Sequence, residues 1–561
     1  MENRLPMTQL PSPVFPAFDS LNRSAIKISA GALRIFRRAW TTFMVVATSL
    51  PYLLNLAATP RGYHYTWILP PYPEDSFGYM AWSQQAARGA LLLKIKYTAL
   101  PQSAFLFQPF FLICGWSSRL FHSNIGAIQF IFKEAGVILF FLILYKYSDY
   151  LRLSPLQSMI ASVLVGVSSG FGGIVALLGG INNWQSMPAD TWMPEVSTYW
   201  ALLWNPLFPC SLALMLLTIY YLDRGTRDHR KNDLWLAGLS CGVLALIHPY
   251  SQPLLLAIAV VLIVVRVRTK WAPYLFRYLA IAAPVVLYLF LVSKYQPIVA
   301  QHSSRGSMPS PGFAKYLLGF GLPLLIWVAG WGMQGVGWMR RYWQLVLWLC
   351  LSLAFAYLPF WYQRKLILGA HIPLCMLAAI SLEAIARKWS TPATFKWALT
   401  GAAFVLLPVM VATPTYLLTT QNREVRNNVS GAYYISDEMD DGLRFLKQHS
   451  SPDEVVFATP NTSRVIPAFA GNTVVWGHWA MSVDLEARQK WADDLLSRSR
   501  NWDDQSRAEK FWSSGIDYIF ADGVLKRGIT KNPWEWWAIL SDADEVFRND
   551  EVVIYKHRKG L

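Results

Sequence analysis

PPYPEDSFGYMAWSQQAARG, Pro70 to Gly89, follows the first strongly apolar segment of the chain and sets two adjacent carboxylates, Glu74 and Asp75, beside it. The stretch has two readings. Pro73 at a first helical position, with acidic side chains in the first turn, predicts a helix running to about Arg88 in which the carboxylates offset exposed N–H groups and the helix dipole. That role is worth only ~0.3–1 kcal/mol. A carboxylate pair at the edge of an apolar segment is costly unless a cation, a metal or a proton-donating substrate meets it, so the same residues are candidates for chemistry.

The surrounding composition supplies the setting. Hydrophobic residues make up 54% of the 561-residue chain and charged residues 15%, against about 25% charged in ordinary soluble proteins. With a mean hydropathy of +0.28, this is the composition of a membrane protein. The formal net charge of +16 does not point to nucleic acid, because most basic residues sit in short runs between apolar segments, where they act as orientation signals. The five cysteines all lie in apolar segments, so they predict no disulfide framework. The N-terminus lacks a short apolar core with a small-residue cleavage site, which reads as an uncleaved, cytoplasm-facing start.

At about 20 apolar residues per spanning helix, roughly eleven spans are expected. They fall near 40–58, 124–146, 155–179, 200–222, 234–247, 251–267, 274–294, 315–335, 342–360, 367–385 and 396–415. The basic clusters then share one side: Arg34, Arg37 and Arg38; Lys146 and Arg152; Arg224 to Lys231; Arg266 to Lys270; Arg340 and Arg341; Arg387, Lys388 and Lys396. This agreement places that side in the cytoplasm. Ala104 to Trp116 is apolar but short and is interrupted by Gln108 and Pro109, so it reads as interfacial; as a full span it would reverse every later loop. The expected organisation is a cytoplasmic segment 1–39, a transmembrane domain 40–418 with a long external loop 59–123, and an external α/β domain 419–561.

Other candidates lie on the same external face. Ile181 to Trp200 carries Asp190, Glu195, Trp184 and Trp192, whose aromatics also suit an interfacial belt. His248 stands at a helix end, as a structural hydrogen-bonding group or a ligand. Arg364 and Lys365, with His371 beyond them, oppose the orientation rule. Arg offers a phosphate a planar fork and Lys a point charge, while the alternative is snorkelling to headgroups. In the polar tail, short β-branched runs at 454–458, 473–476, 516–520 and 551–555 alternate with helical stretches at 437–449, 484–498 and 506–514, which predicts a small α/β domain. His478, after the second of these runs, is either a turn residue or part of a site.

This order of features resembles the membrane glycosyltransferases of the GT-C superfamily, among them the protein O-mannosyltransferases, the aminoarabinose transferases and the RgtA/B/C/D-like group. The specific likeness is in the first external loop, where Glu74 and Asp75 match the acidic motif and YMAWSQQAARG the helix that follows it. The resemblance implies a multi-pass protein of a bacterial inner membrane. It also implies transfer, with inversion, of a sugar from a polyprenyl-phosphate donor to a glycan, lipid or protein acceptor. Asp75 or Glu74 would act as general base, Arg364 and Lys365 would receive the leaving phosphate, and Lys94, Lys96, His248 and His371 would stand behind them. Asp190 matches a second acidic position, and a divalent metal ion between Asp75 and Asp190 is conceivable on hard-ligand grounds. The Lys-Pro motif of the aminoarabinose transferases and the Trp-Trp-Asp motif of the oligosaccharyltransferases are both missing, so neither substrate carries over. A transporter or flippase, and a non-catalytic relative, are the competing readings; few ionisable residues in the spans and no visible repeat argue against transport.

Overall fold

The computed structural model describes residues 28–558 except 180–185, 306, 335, 392, 429–430 and 497–503; Trp184 and much of the N-terminal segment lie outside the described residues. Among these, 7 helical stretches are long and apolar enough to cross a membrane: Ala30–Ala57, Ile125–Tyr150, Leu207–Arg227, Pro249–Tyr295, Phe313–Met333, Gln363–Lys388 and Phe395–Asn427. Pro155–Val167 and Asp233–Ile247 are shorter apolar helices beside them. Ile138, Leu142, Phe276, Phe290, Phe404 and Val405 project outward from these helices, an arrangement that water would penalise and lipid does not. The protein is an integral membrane protein with a mostly helical body.

Each expected span contains helix, with two corrections. The segment 200–222 is two helices, Thr198–Trp204 and Leu207–Arg227, because Pro206 forces Asn205 into extended backbone (φ −98°, ψ 125°). The segment 155–179 also breaks. Its helix stops at Val167 and resumes only as Gly172–Leu177. Between them the chain crosses the Phe313–Gln334 helix so closely that a Cβ on Gly170 would lie 2.2 Å from the Leu318 carbonyl oxygen. The stretch Pro249–Tyr295 folds as the helices Gln252–Val267 and Trp271–Tyr295, joined by a 3-10 turn at Arg268–Lys270.

The first long loop folds against the end of the chain. Its helix, Pro73–Ala87, begins at the expected proline and ends before Gly89, which takes φ +98°. The apolar run expected at 104–116 is a helix over Pro109–Phe121, started by the Gln108 side chain accepting from the Phe111 N–H. This helix packs against Pro73–Ala87, and Gly115 lets it do so: a Cβ there would lie 2.3 Å from the Ser83 carbonyl oxygen. Strand β1 (Tyr63–Tyr65) pairs antiparallel with β2 (Tyr434–Ser436), Tyr65 opposite Tyr434. The Val474 N–H bonds the Lys96 carbonyl at 2.9 Å.

Beyond the Phe395–Asn427 helix lies a five-stranded sheet, β3 (Val455–Phe457), β4 (Thr473–Val474), β5 (Tyr518–Ala521), β6 (Ala543–Arg548) and β7 (Val553–His557), in the order β4-β3-β5-β7-β6. β3 is parallel to β4 and β5; β7 is antiparallel to β5 and β6. β6 escapes the sequence reading because ADEVFR lies at the sheet edge with Asp544 and Glu545 exposed, so its alternation is mostly charge. A small core of Phe457, Trp476, Phe511, Ile519, Trp536 and Ile539 fixes the helices of this region on the sheet.

Candidate functional site

The first turn of Pro73–Ala87 points its two carboxylates into a cleft of about 710 Å³ between the membrane helices and the C-terminal region. That volume is within the ~300–1,000 Å³ of small-molecule sites. Tyr72, Trp204 and Trp479 give it aromatic walls. Glu74, Asp75 and Glu195 supply acid, and Arg364, Lys365 and Arg464 supply positive charge.

The two neighbouring acids have different surroundings. Glu74 Oε1 accepts from Arg464 Nη1 at 2.5 Å, so its charge is held by a residue of the C-terminal region. Arg464 is itself fixed, its other Nη bonding the Asn461 side chain and its carbonyl accepting from Tyr97 Oη at 3.1 Å. Asp75 Oδ1 lies 3.4 Å from His478 Nε2. The remaining contacts of His478 decide its tautomer. Its Nδ1 accepts from the backbone N–H groups of Ala480 at 3.1 Å and Met481 at 3.2 Å, so Nδ1 carries no proton and the ring hydrogen sits on Nε2, facing Asp75. The Asp75 carboxylate thus has that ring nitrogen 3.4 Å away on the opposite wall, near but short of a hydrogen bond. Gly78, one turn on, makes room for this loop: a Cβ there would lie 3.2 Å from Met481 Cε.

Arg364 and Lys365 occupy the other side, in a 3-10 turn over Gln363–Ile367. The Arg364 guanidinium lies 5.7 Å from the Trp192 ring centroid and Lys365 Nζ 5.1 Å from that of Tyr250. Among the described residues neither forms an ion pair, and Arg364 Nε is buried without a hydrogen-bond partner. Glu195 Oε2 is likewise buried and without a partner. These groups give the cleft both an acceptor for a proton and donors for an anion.

The structure places the other expected site residues elsewhere. Lys94 and Lys96 both reach Asp453, Lys96 Nζ at 3.0 Å with the Pro452 carbonyl at 2.7 Å. Burial lowers the Lys96 pKa against the pull of Asp453, and Lys96 holds the Asp453 carboxyl below its usual range. These lysines join the first loop to the C-terminal region and do not line the cleft. Asp190 is fully buried: its Oδ2 accepts from Thr413 Oγ1 at 2.7 Å, Ser169 Oγ at 3.1 Å and the Gly172 N–H at 3.3 Å. It closes the broken helix at 168–171. It is not a cleft residue, so Asp75 and Asp190 make no joint metal set. Among the described residues no group of three or more His, Cys, Asp or Glu side chains is arranged to hold a metal ion. His248 is buried, with Nδ1 3.0 Å from Ser251 Oγ and its ring edge-on to Phe208. His371 is buried between Thr198 Oγ1 at 3.0 Å and Ser168 Oγ at 3.3 Å. Both are core histidines near the cleft's supporting shell.

Sequence reasoning missed Arg464: the Asn-x-Ser triplet at Asn461 beside it is too common by chance to mark a site. His478 had a signal, a histidine just past a β-branched run, but its partner Asp75 is some 400 positions away.

No protein-family model matches the sequence, and no curated protein matches it. Solved structures do share its fold. The arabinofuranosyltransferase AftD from Mycobacteria aligns at TM-score 0.54 and 16% identity, over 96% of this chain and 40% of its own. ArnT from Cupriavidus metallidurans, bound to undecaprenyl phosphate, aligns at 0.49 and 12%, over 92% and 98%. The Archaeoglobus fulgidus oligosaccharyltransferase with a tethered acceptor peptide aligns at 0.45 and 12%, over 93% and 74%. The AftD alignment carries the assignment: the chain has the fold of the GT-C glycosyltransferases, and it spans about two-fifths of the AftD chain.

Proposed function

We propose that the protein is a membrane glycosyltransferase that moves a sugar from a polyprenyl-phosphate donor to an acceptor hydroxyl on the extracytoplasmic side of a bacterial inner membrane. In this reading the N-terminus is cytoplasmic and the C-terminal region external. The acceptor oxygen attacks the anomeric carbon and its proton passes to the Asp75 carboxylate. The bond from that carbon to the phosphate oxygen breaks, and polyprenyl phosphate leaves with the bonding pair. Attack and departure on opposite faces of the sugar invert the anomeric centre.

The observation that carries the reading is the division of the cleft: the Asp75 carboxylate 3.4 Å from a histidine ring on one wall, and on another two cations that form no ion pair among the described residues. Asp75 suits the base because its carboxylate lines the cleft 3.4 Å from the His478 ring, facing the wall that carries Arg364 and Lys365. Arg364 and Lys365 suit the phosphate, where charge grows as the bond breaks; such donors act most strongly where water is excluded. The acceptor is a glycan, lipid or protein.

The test is consumption of a panel of polyprenyl-phosphate sugars by purified protein. Release of polyprenyl phosphate by the native protein, and its loss on Asp75→Asn, is the expected result. Equal release by both proteins removes Asp75 as base, and no release from any donor removes the transferase reading.

A further inference from the structure

A second polar cavity, of about 290 Å³, lies at the ends of membrane helices, away from the residues of the cleft. Arg227 closes the helix Leu207–Arg227, Arg266 is in the last turn of Gln252–Val267, and Arg340, Arg341 and Gln344 lie early in Val336–Phe355. All five line this cavity, and among the described residues no carboxylate does.

The arginines have unequal surroundings. Arg266 is spent inside the protein: Nη1 bonds the buried Asp223 carboxylate and Thr226 Oγ1 at 3.0 Å, and its guanidinium lies 5.0 Å from the Trp343 ring centroid. Arg227, Arg340 and Arg341 form no ion pair among the described residues, and Asp223, the carboxylate that feels Arg227, is already bound by Arg266, so three further like charges converge on one concavity. Orientation alone explains basic residues at helix ends, but not their convergence or the state of Gln344. That side chain is 3% exposed and lines the cavity, yet neither its Nε2 nor its Oε1 has a hydrogen-bond partner among the described residues. A buried amide in that state carries a desolvation cost, which a ligand with its own acceptor and donor removes.

We infer that this cavity binds a phosphate-bearing anion, with the guanidinium forks of Arg340, Arg341 and Arg227 on the phosphate oxygens and the Gln344 amide on the same headgroup. Arginine matches phosphate geometry with paired N–H donors. The position at the ends of apolar helices favours an anionic phospholipid, whose tails continue along the membrane-facing surface while its phosphate enters the cavity. This site is independent of the glycosyl-transfer reading, since none of its residues lines the cleft.

The test is native mass spectrometry of the full chain titrated with phosphatidylglycerol, phosphatidylcholine or inorganic phosphate. The inference predicts one saturable phosphatidylglycerol bound at least about tenfold more tightly than phosphatidylcholine. That preference should be lost in the Arg340→Gln, Arg341→Gln double variant, and binding should weaken severalfold in Gln344→Leu, which leaves every charge in place. Retention of phosphatidylglycerol against millimolar phosphate assigns a lipid headgroup; saturable phosphate with no lipid, lost in the same variants, assigns a soluble phosphate. Equal affinity for the two lipids together with no phosphate binding, or folded variants that bind as the native protein does, overturns the site and leaves the arginines as orientation charges.

Discussion

Two places in the molecule hold opposite charges side by side, and they differ in what surrounds them. Within the helix Ile125–Tyr150, Lys133 Nζ lies 2.5 Å from Glu134 Oε1 and donates to the Thr48 carbonyl at 3.1 Å, while Thr48 Oγ1 donates to Glu134 Oε2 at 2.8 Å. The Tyr52 ring covers the ammonium at 4.6 Å, and the adjoining cavity is only about 20 Å³. In the cleft, by contrast, Asp75 and Glu74 meet partners contributed some 400 positions later in the chain, and Arg364 and Lys365 face a space large enough for a substrate. A buried charge whose needs are met by its neighbours is structural. One that lines a substrate-sized space is available for chemistry. The closed state of the Lys133–Glu134 pair also takes support from the transport reading, which needs intramembrane ionisable groups that exchange partners.

The comparison sharpens into substitutions with ordered effects. The largest falls in the cleft: Asp75→Asn should reduce turnover about 10²–10⁴-fold, the usual contribution of a general base. Glu74→Gln, which removes a carboxylate already bound by Arg464, should cost roughly tenfold at most. Equal losses in the two variants would erase the distinction between the acids. At the closed pair the loss is in stability. Lys133→Met strands a buried carboxylate and should lower unfolding stability by about 3–5 kcal/mol, whereas Lys133→Met with Glu134→Leu should recover much of it. A stable single variant would show that the pair opens to water.

A pH effect comes next. Burial raises the Asp190 carboxyl from 3.8 to about 6, against the hydrogen bonds from Thr413, Ser169 and Gly172. The folded protein therefore keeps a proton that the unfolded chain releases, and stability falls as pH rises from about 4 through about 6, by up to about 3 kcal/mol. Thermal melts across that range should show the slope in the native protein and not in Asp190→Asn; a slope shared by both assigns the titration to another group. The smallest effect belongs to Arg364→Ala, which should weaken donor binding roughly tenfold by equilibrium titration with little change in melting temperature. Unchanged donor affinity would leave Arg364 as a cation resting on Trp192.

What the sequence made legible follows the range of the interactions. The helix at Pro73–Ala87, the apolar spans and the helix Asp437–His449 rest on local signals, a proline, acidic first turns and runs of apolar residues, and they were readable. Arg364 and Lys365 were legible because they break a local rule of charge. Asp190, Lys94 and Lys96 misled for the complementary reason. Their charges suit a site, and only the folded chain shows Thr413 and Asp453 arriving to absorb them. His478 and Arg464 become cleft residues only through the packing of the C-terminal region on the first loop, which no periodicity encodes. The breaks at 168–171 and Asn205 were hidden inside runs that hydropathy reads as continuous.

The most direct measurement of the central claim follows lipid-linked sugars by mass spectrometry in cells producing the native protein or Asp75→Asn at matched membrane abundance. Accumulation of one polyprenyl-phosphate sugar only in the variant is the predicted result, and that species names the donor. Identical lipid extracts, from a variant shown to be folded in the membrane, would contradict the assignment of Asp75 as the base of a lipid-dependent transferase.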